Sequence, residues 1–127
     1  MFNIRHNVFE TNSSSVHSMI ICTRDEYGKL ENQKLFINDI GDLLTYDEAV
    51  KYAVKSAKQW GNDASKKFAD NINKHSKKEI IDWMANNGDA YTLDQWLNDN
   101  DYETFEEPYT TPNGEEIVAF GYYGNDY

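Results

Sequence analysis

The apolar residues of this chain change their spacing twice along its length. Near the start, "SVHSMIICTR" (residues 15–24) alternates as a β-strand does. Val16, Ser18, Ile20 and Cys22 fall on one face, and His17, Met19, Ile21 and Thr23 on the other. Both faces are partly apolar, which predicts an inner strand. "RDEYGKLENQ" (24–33) reads as a polar connection with Gly28 as its turn residue. "KLFIND" (34–39) reads as a second strand, antiparallel to the first through that connection.

The middle of the chain has helical spacing. "TYDE" (45–48) fits a capping box, in which Thr45 accepts from an early amide and Glu48 reaches back to the Thr45 amide. The helix that follows carries Ala49, Val50, Ala53, Val54, Ala57 and Trp60 on one stripe, with Lys51, Lys55 and Lys58 on its other side. Gly61 is its expected left-handed stop. A weaker stripe follows at Ala64, Phe68, Ala69 and Ile72. "SKKE" (76–79) opens a helix with Ile80, Ile81, Trp83 and Met84, ended by Gly88. "TLDQ" (92–95) opens a short one through Trp96 and Leu97.

The end returns to strand character. Two β-prone runs flank "TPNG", where Pro112, Asn113 and Gly114 supply a fixed φ and then a positive one, as a tight hairpin needs. Pro108 makes residues 104–110 an edge strand, because proline cannot donate to a ladder. Gly121 marks a bulge or a close backbone approach in the last strand, 116–123. The sum is an α+β fold: a small antiparallel sheet, made of an N-terminal strand pair plus a C-terminal hairpin, packed on three or four central helices. With no repeat and no long linker, residues 1–127 are expected to form a single domain.

Charge sharpens this picture. The formal net charge is −10, and all twelve Lys and Arg lie at or before Lys78. Residues 79–127 carry twelve acidic side chains and no Lys or Arg. Such a region repels polyanions, so direct contact with nucleic acid or an anionic membrane is not expected there. No apolar run approaches bilayer length, and the lone Cys22 fits a reducing compartment, which makes a cytoplasmic location the expectation.

Candidate chemistry is concentrated at the two ends. In "FETNSSSVHS" (9–18), Asn12, Ser13, Ser14, Ser15 and His17 admit three readings. A serine nucleophile needs a base in reach and a group to orient it, yet Ser14 and His17 would point to opposite faces of an extended strand. Hydroxyls and successive amides can cradle a phosphate, but the glycines and lysine of a phosphate-binding loop are missing. Asx- and ST-type turns leading into the strand require nothing more than these residues. No metal is expected: Cys22, His6, His17 and His75 lack paired ligand spacing, and the acidic run from Asp99 lacks the glycine and final glutamate of a calcium loop. No cofactor is expected either.

The acidic, aromatic end is the stronger lead. Asp99, Asp101, Tyr102, Glu103 and Glu106 begin it, and Glu107, Tyr109, Glu115, Tyr122 and Tyr123 continue it. Aromatics supply binding energy at interface centres, while carboxylates steer a basic partner and set its register. A face of this kind also imitates the charge of nucleic acid.

"FETNSSSVHS" further resembles an N-terminal signature, F-E-T-N-S-S-S-x-H-S, of small uncharacterised proteins of bacteriophages and prophages. The "FGYYG" ending is similar to such proteins as well. The resemblance implies a phage-derived accessory protein in the host cytoplasm and carries over no catalytic residue. The leading expectation is therefore a non-enzymatic protein that binds a host protein with a basic surface through its C-terminal face. A defence nuclease or other nucleic-acid-binding enzyme is the concrete target. The alternative is a small enzyme or nucleotide-binding protein using Asn12 to Ser15 and His17.

Overall fold

The computed structural model describes residues 4, 5, 16–98 and 103–123. The fold is α+β, with two small antiparallel sheets packed against helices. The first sheet is ordered β1-β2-β7-β6, from β1 (Ile4–Arg5), β2 (Val16–Thr23), β7 (Glu116–Tyr123) and β6 (Thr104–Thr110). The second is ordered β4-β3-β5, from β4 (Leu43–Thr45), β3 (Leu35–Asn38) and β5 (Ala90–Tyr91). Around them lie α1 (Arg24–Glu31), α2 (Tyr46–Trp60), α3 (Asp63–Asp70), α4 (Lys77–Asn86) and α5 (Leu93–Asn98).

β2 is an inner strand, as its two apolar faces require. The strand at 34–39 does not pair with it. β3 instead joins β4 and β5, with Ile37 opposite both Leu43 and Tyr91. The reason lies between the two strands, where residues 24–31 form a helix rather than an open connection. Thr23 caps that helix: its hydroxyl accepts from the Glu26 amide at 3.1 Å, and Glu26 accepts from the Thr23 amide at 2.9 Å. Two satisfied amides and the acidic first turn at Asp25 and Glu26 outweigh the cost of a helical glycine at Gly28. The helix buries Tyr27 and Leu30 and carries the chain away from the first sheet. All four residues of β3 are buried.

The three boxes read from the sequence form as expected. Thr45, Ser76 and Thr92 each exchange hydrogen bonds with the residue three positions on. On α2, Ala49, Ala53 and Ala57 are buried at four-residue spacing, and these small side chains let the helix backbone lie close against Phe36 and Met84. The stripe stops there. Trp60 is 79 % exposed. Gly61 has φ −74° and ψ 162°, so α2 ends in an extended residue, not a left-handed one. Gly88, at φ +76°, does take the left-handed conformation after α4. Phe68 stacks between His75 and Trp83, with ring centroids 3.8 and 4.7 Å away.

Two cores result. Ile20, Cys22, Val118 and Phe120 of the first sheet pack with Tyr27 and Leu30 of α1 and with Ile37 and Leu93. Phe36 packs with α2, α4 and Ala69 of α3. β3 sends Ile37 into the first and Phe36 into the second, so this one strand joins the two halves. At the C-terminal hairpin, the Thr111 carbonyl accepts from Gly114, and the Thr111 amide donates to Glu115. Gly114 takes φ +84°. β6 is an edge strand, where Pro108 costs no ladder bond. β7 is bonded on both sides, and opposite its end β2 carries a bulge between Val16 and Ser18.

Gly121 faces Met19 across this ladder, and a Cβ there would run into the Ser18 carbonyl. Gly121→Ala should therefore lower the urea midpoint by about 1–3 kcal/mol of stability, the usual cost of overpacking. Gly28→Ala meets nothing within 4 Å inside a helix and should raise stability by roughly 0.5–1 kcal/mol. Burial pushes the Cys22 thiol up to about 12, from an ordinary value of 9.0. Because the folded state disfavours the thiolate, stability is full below the ordinary thiol range and falls as pH rises through it toward 12. Alkaline unfolding followed by circular dichroism should start in that window, and Cys22→Ala should shift its onset upward. Native Cys22 should also resist iodoacetamide until the chain unfolds.

Candidate functional site

Side chains on neighbouring residues of a strand point to opposite faces, and this divides the acidic end. Across the β6–β7 ladder, Glu106 pairs with Phe120 and so lies on the core face. Glu107 pairs with Ala119, and Tyr109 with Ile117, which places both on the opposite, outer face. Phe105, opposite Gly121, joins them and packs against Met19, Ile21, Ile117 and Ala119. The outer face of β6 is thus a stripe of Phe105, Glu107 and Tyr109. Glu107 is exposed and Tyr109 is 47 % exposed. Glu103 precedes the strand and Glu115 sits in the hairpin loop; both are exposed. Among the described residues no Lys or Arg pairs with these carboxylates.

Glu106 and Tyr122, of the same expected face, lie on the other side of the sheet. Glu106 is exposed but lies on the Tyr27 side of the sheet and is hydrogen-bonded to the Tyr27 side chain. Tyr27 is 3 % exposed, and burial first, then the Glu106 charge and hydrogen bond, push its phenol well above the ordinary tyrosine range. Tyr122 also lies on the core-side face, where its ring meets Trp96 edge-on at 5.0 Å. The continuous acidic face expected from the sequence is therefore two faces, separated by the pleat. Tyr123 belongs to β7. Asp99, Asp101 and Tyr102 lie outside the described residues, as do Asn12, Ser13, Ser14 and Ser15. His17 is in β2, two residues before the buried run that begins at Met19.

Trp96 and Tyr122 form one wall of a cleft of about 360 Å³, closed by Ser18 and the Asp39–Ile40–Gly41 turn. The sequence reading passed over Asp39. Its carboxylate accepts from the Tyr52 hydroxyl at 2.6 Å, and Asn38 shapes the same turn by accepting from the amides of Ile40 and Asp42. The signal that could have found it is the "NDIGD" run, an Asx-type turn between two buried strands. On the helical side a broad groove of about 650 Å³ runs along α2, floored by Val50, Val54 and Ile72 and edged by Lys51, Lys55 and Lys58. Three lysines of α2 thus line one groove. No described helix is long and apolar enough to cross a membrane.

Removing the carboxylate on the Tyr27 side tests the division of faces. Glu106→Ala should destabilise by about 1–2 kcal/mol, since it takes the acceptor from the buried Tyr27 hydroxyl, whereas Tyr27→Phe leaves the exposed Glu106 to water and should cost less. In a double-mutant cycle the two losses should be markedly less than additive. Glu107→Gln should leave stability unchanged.

Compared with protein-family models, with curated proteins and with solved structures, this chain matches none.

Proposed function

We propose that this chain is a non-enzymatic binding protein that presents the outer face and open edge of β6 to a partner with a basic surface. The observation that carries the reading is the Phe105–Glu107–Tyr109 stripe on an edge strand, flanked by Glu103 and Glu115, with the Glu103, Glu107 and Glu115 carboxylates in no ion pair with Lys or Arg among the described residues. Aromatic rings supply the desolvated contact area of such an interface, and the carboxylates around them steer the encounter. The edge adds backbone groups that a partner segment can pair with, except at Pro108. The same carboxylates discourage pairing of one β6 with another, so the edge is reserved for a cationic partner.

The phage-like signature at residues 9–18 supports a host protein as that partner, in the bacterial cytoplasm. A nuclease or other nucleic-acid-binding enzyme fits best, because its cleft is shaped for closely spaced negative charge. The groups for a hydrolytic centre do not assemble on the hairpin, which offers carboxylates and aromatics on a strand rather than a nucleophile beside a base.

The test is capture of the host partner from bacterial lysate and titration with the purified partner at low and high salt. Glu103→Lys/Glu107→Lys/Glu115→Lys should weaken binding at least about tenfold and flatten its salt dependence. Reversal at Asp63 and Asp70 of α3 should leave both unchanged. A partner whose affinity ignores the hairpin charges would sink the proposal.

A further inference from the structure

Trp60 is the most exposed large apolar side chain of the described residues, and it stands at the lip of a cavity. The chain leaves α2 through Gly61, whose added Cβ would meet the Ala57 carbonyl at 2.6 Å, and enters α3 at once behind Asn62. This tight corner holds a cavity of about 170 Å³ lined by Ser56, Trp60, Asn62, Ser65, Asn87 and Asp89. Asp89 is 8 % exposed, a buried carboxylate whose described side-chain partner is Ser56. Burial, partly offset by that hydrogen bond, raises its pKa.

The polar atoms at this corner have a definite polarity. Asn62 uses its side-chain oxygen to accept from the Ser65 amide at 2.8 Å. Asn87 uses its own to accept from the Ser65 hydroxyl at 3.1 Å. Each therefore keeps its NH₂ group as a donor, while Asp89 supplies acceptors. No Lys or Arg lines the cavity, so an anion lacks a counter-charge. A simple cation would use the carboxylate but leave both amide donors unanswered. Hydroxyl groups, which donate and accept, satisfy both kinds of atom. At ~30 Å³ per water the space equals that of five or six waters, which suits one small ring rather than a nucleotide.

We propose that this corner binds a single neutral sugar ring, a monosaccharide or the terminal unit of a glycan. The ring's C–H face lies on the Trp60 indole, whose π-face carries partial negative charge. Its hydroxyls donate to Asp89 and accept from Asn62 and Asn87. The site is independent of the acidic hairpin.

The experiment is a titration of the whole protein with glucose, galactose, N-acetylglucosamine, ribose and myo-inositol, followed by the indole N–H resonances of Trp60, Trp83 and Trp96. At least one sugar should move the Trp60 resonance and leave Trp83 in place. Trp60→Ala, safe for the fold because the ring is exposed, should weaken that binding about tenfold or more, as should Asp89→Asn. Binding unchanged in Trp60→Ala overturns the proposal, as does a panel in which no sugar moves Trp60. Methylammonium binding in place of every sugar would overturn the neutral assignment.

Discussion

Everything in the first sheet depends on how closely β7 approaches β2. The two ladders of β7 bury Ile117 through Gly121, and at Gly121 the backbones come so near that a Cβ has no room. That approach fixes the register. Once Gly121 sits opposite Met19, Phe120 must face the core beside Tyr27 and Trp96. Ala119 must then lie on the opposite face beside Ile21, where both are buried. β6 inherits the same register across its own ladder, so the sorting of Glu106 to the Tyr27 side and Glu107 to the other is set by a glycine on the adjacent strand. A slip of one residue would exchange the faces of Glu106 and Glu107, which is why the hairpin loop and the close approach reinforce one another.

The second constraint is the position of β3. Its four buried residues alternate between two cores, Ile37 toward the first sheet and Phe36 toward the helices. A strand that is apolar on both faces gains burial only when something covers each face. Here α1 and the first sheet cover one, and α2 and α4 the other. The helical half and the sheet half are thus packed through a single shared layer.

Local signals were the legible part of the sequence. The boxes at Thr45, Ser76 and Thr92 could be read because all their partners lie within three residues. The hairpin at Pro112 to Gly114 was legible for the same reason. α1 was missed although Thr23 and Glu26 have the same spacing: only Tyr27 and Leu30 give it an apolar side, and Gly28 suggested a turn. The pairing of β3 could not be read, because its register is set by Leu43 and Tyr91 and by cores that assemble from distant segments. The division of the acidic end was within reach. Adjacent residues of any strand face apart, so Glu106 and Glu107 could not share a surface once the strand was accepted. The corner at Trp60 was hidden by an assumption about Gly61. A left-handed residue there would have turned the chain differently; the extended one leaves the indole in solvent.

The distance in sequence between β2 and β7 bears on how the protein is made. Val16 pairs with Tyr123, so the strands of one sheet are separated by nearly the whole described chain. The capped helices α2 to α4 rest on nearby contacts and can form as soon as they emerge from a ribosome, whereas β2 waits with both apolar faces open until the final hairpin is complete. During that interval the "MIIC" segment of the nascent chain lacks its β7 partner. The order of synthesis thus leaves β2 waiting for β7, and it is the acidic hairpin that closes it off.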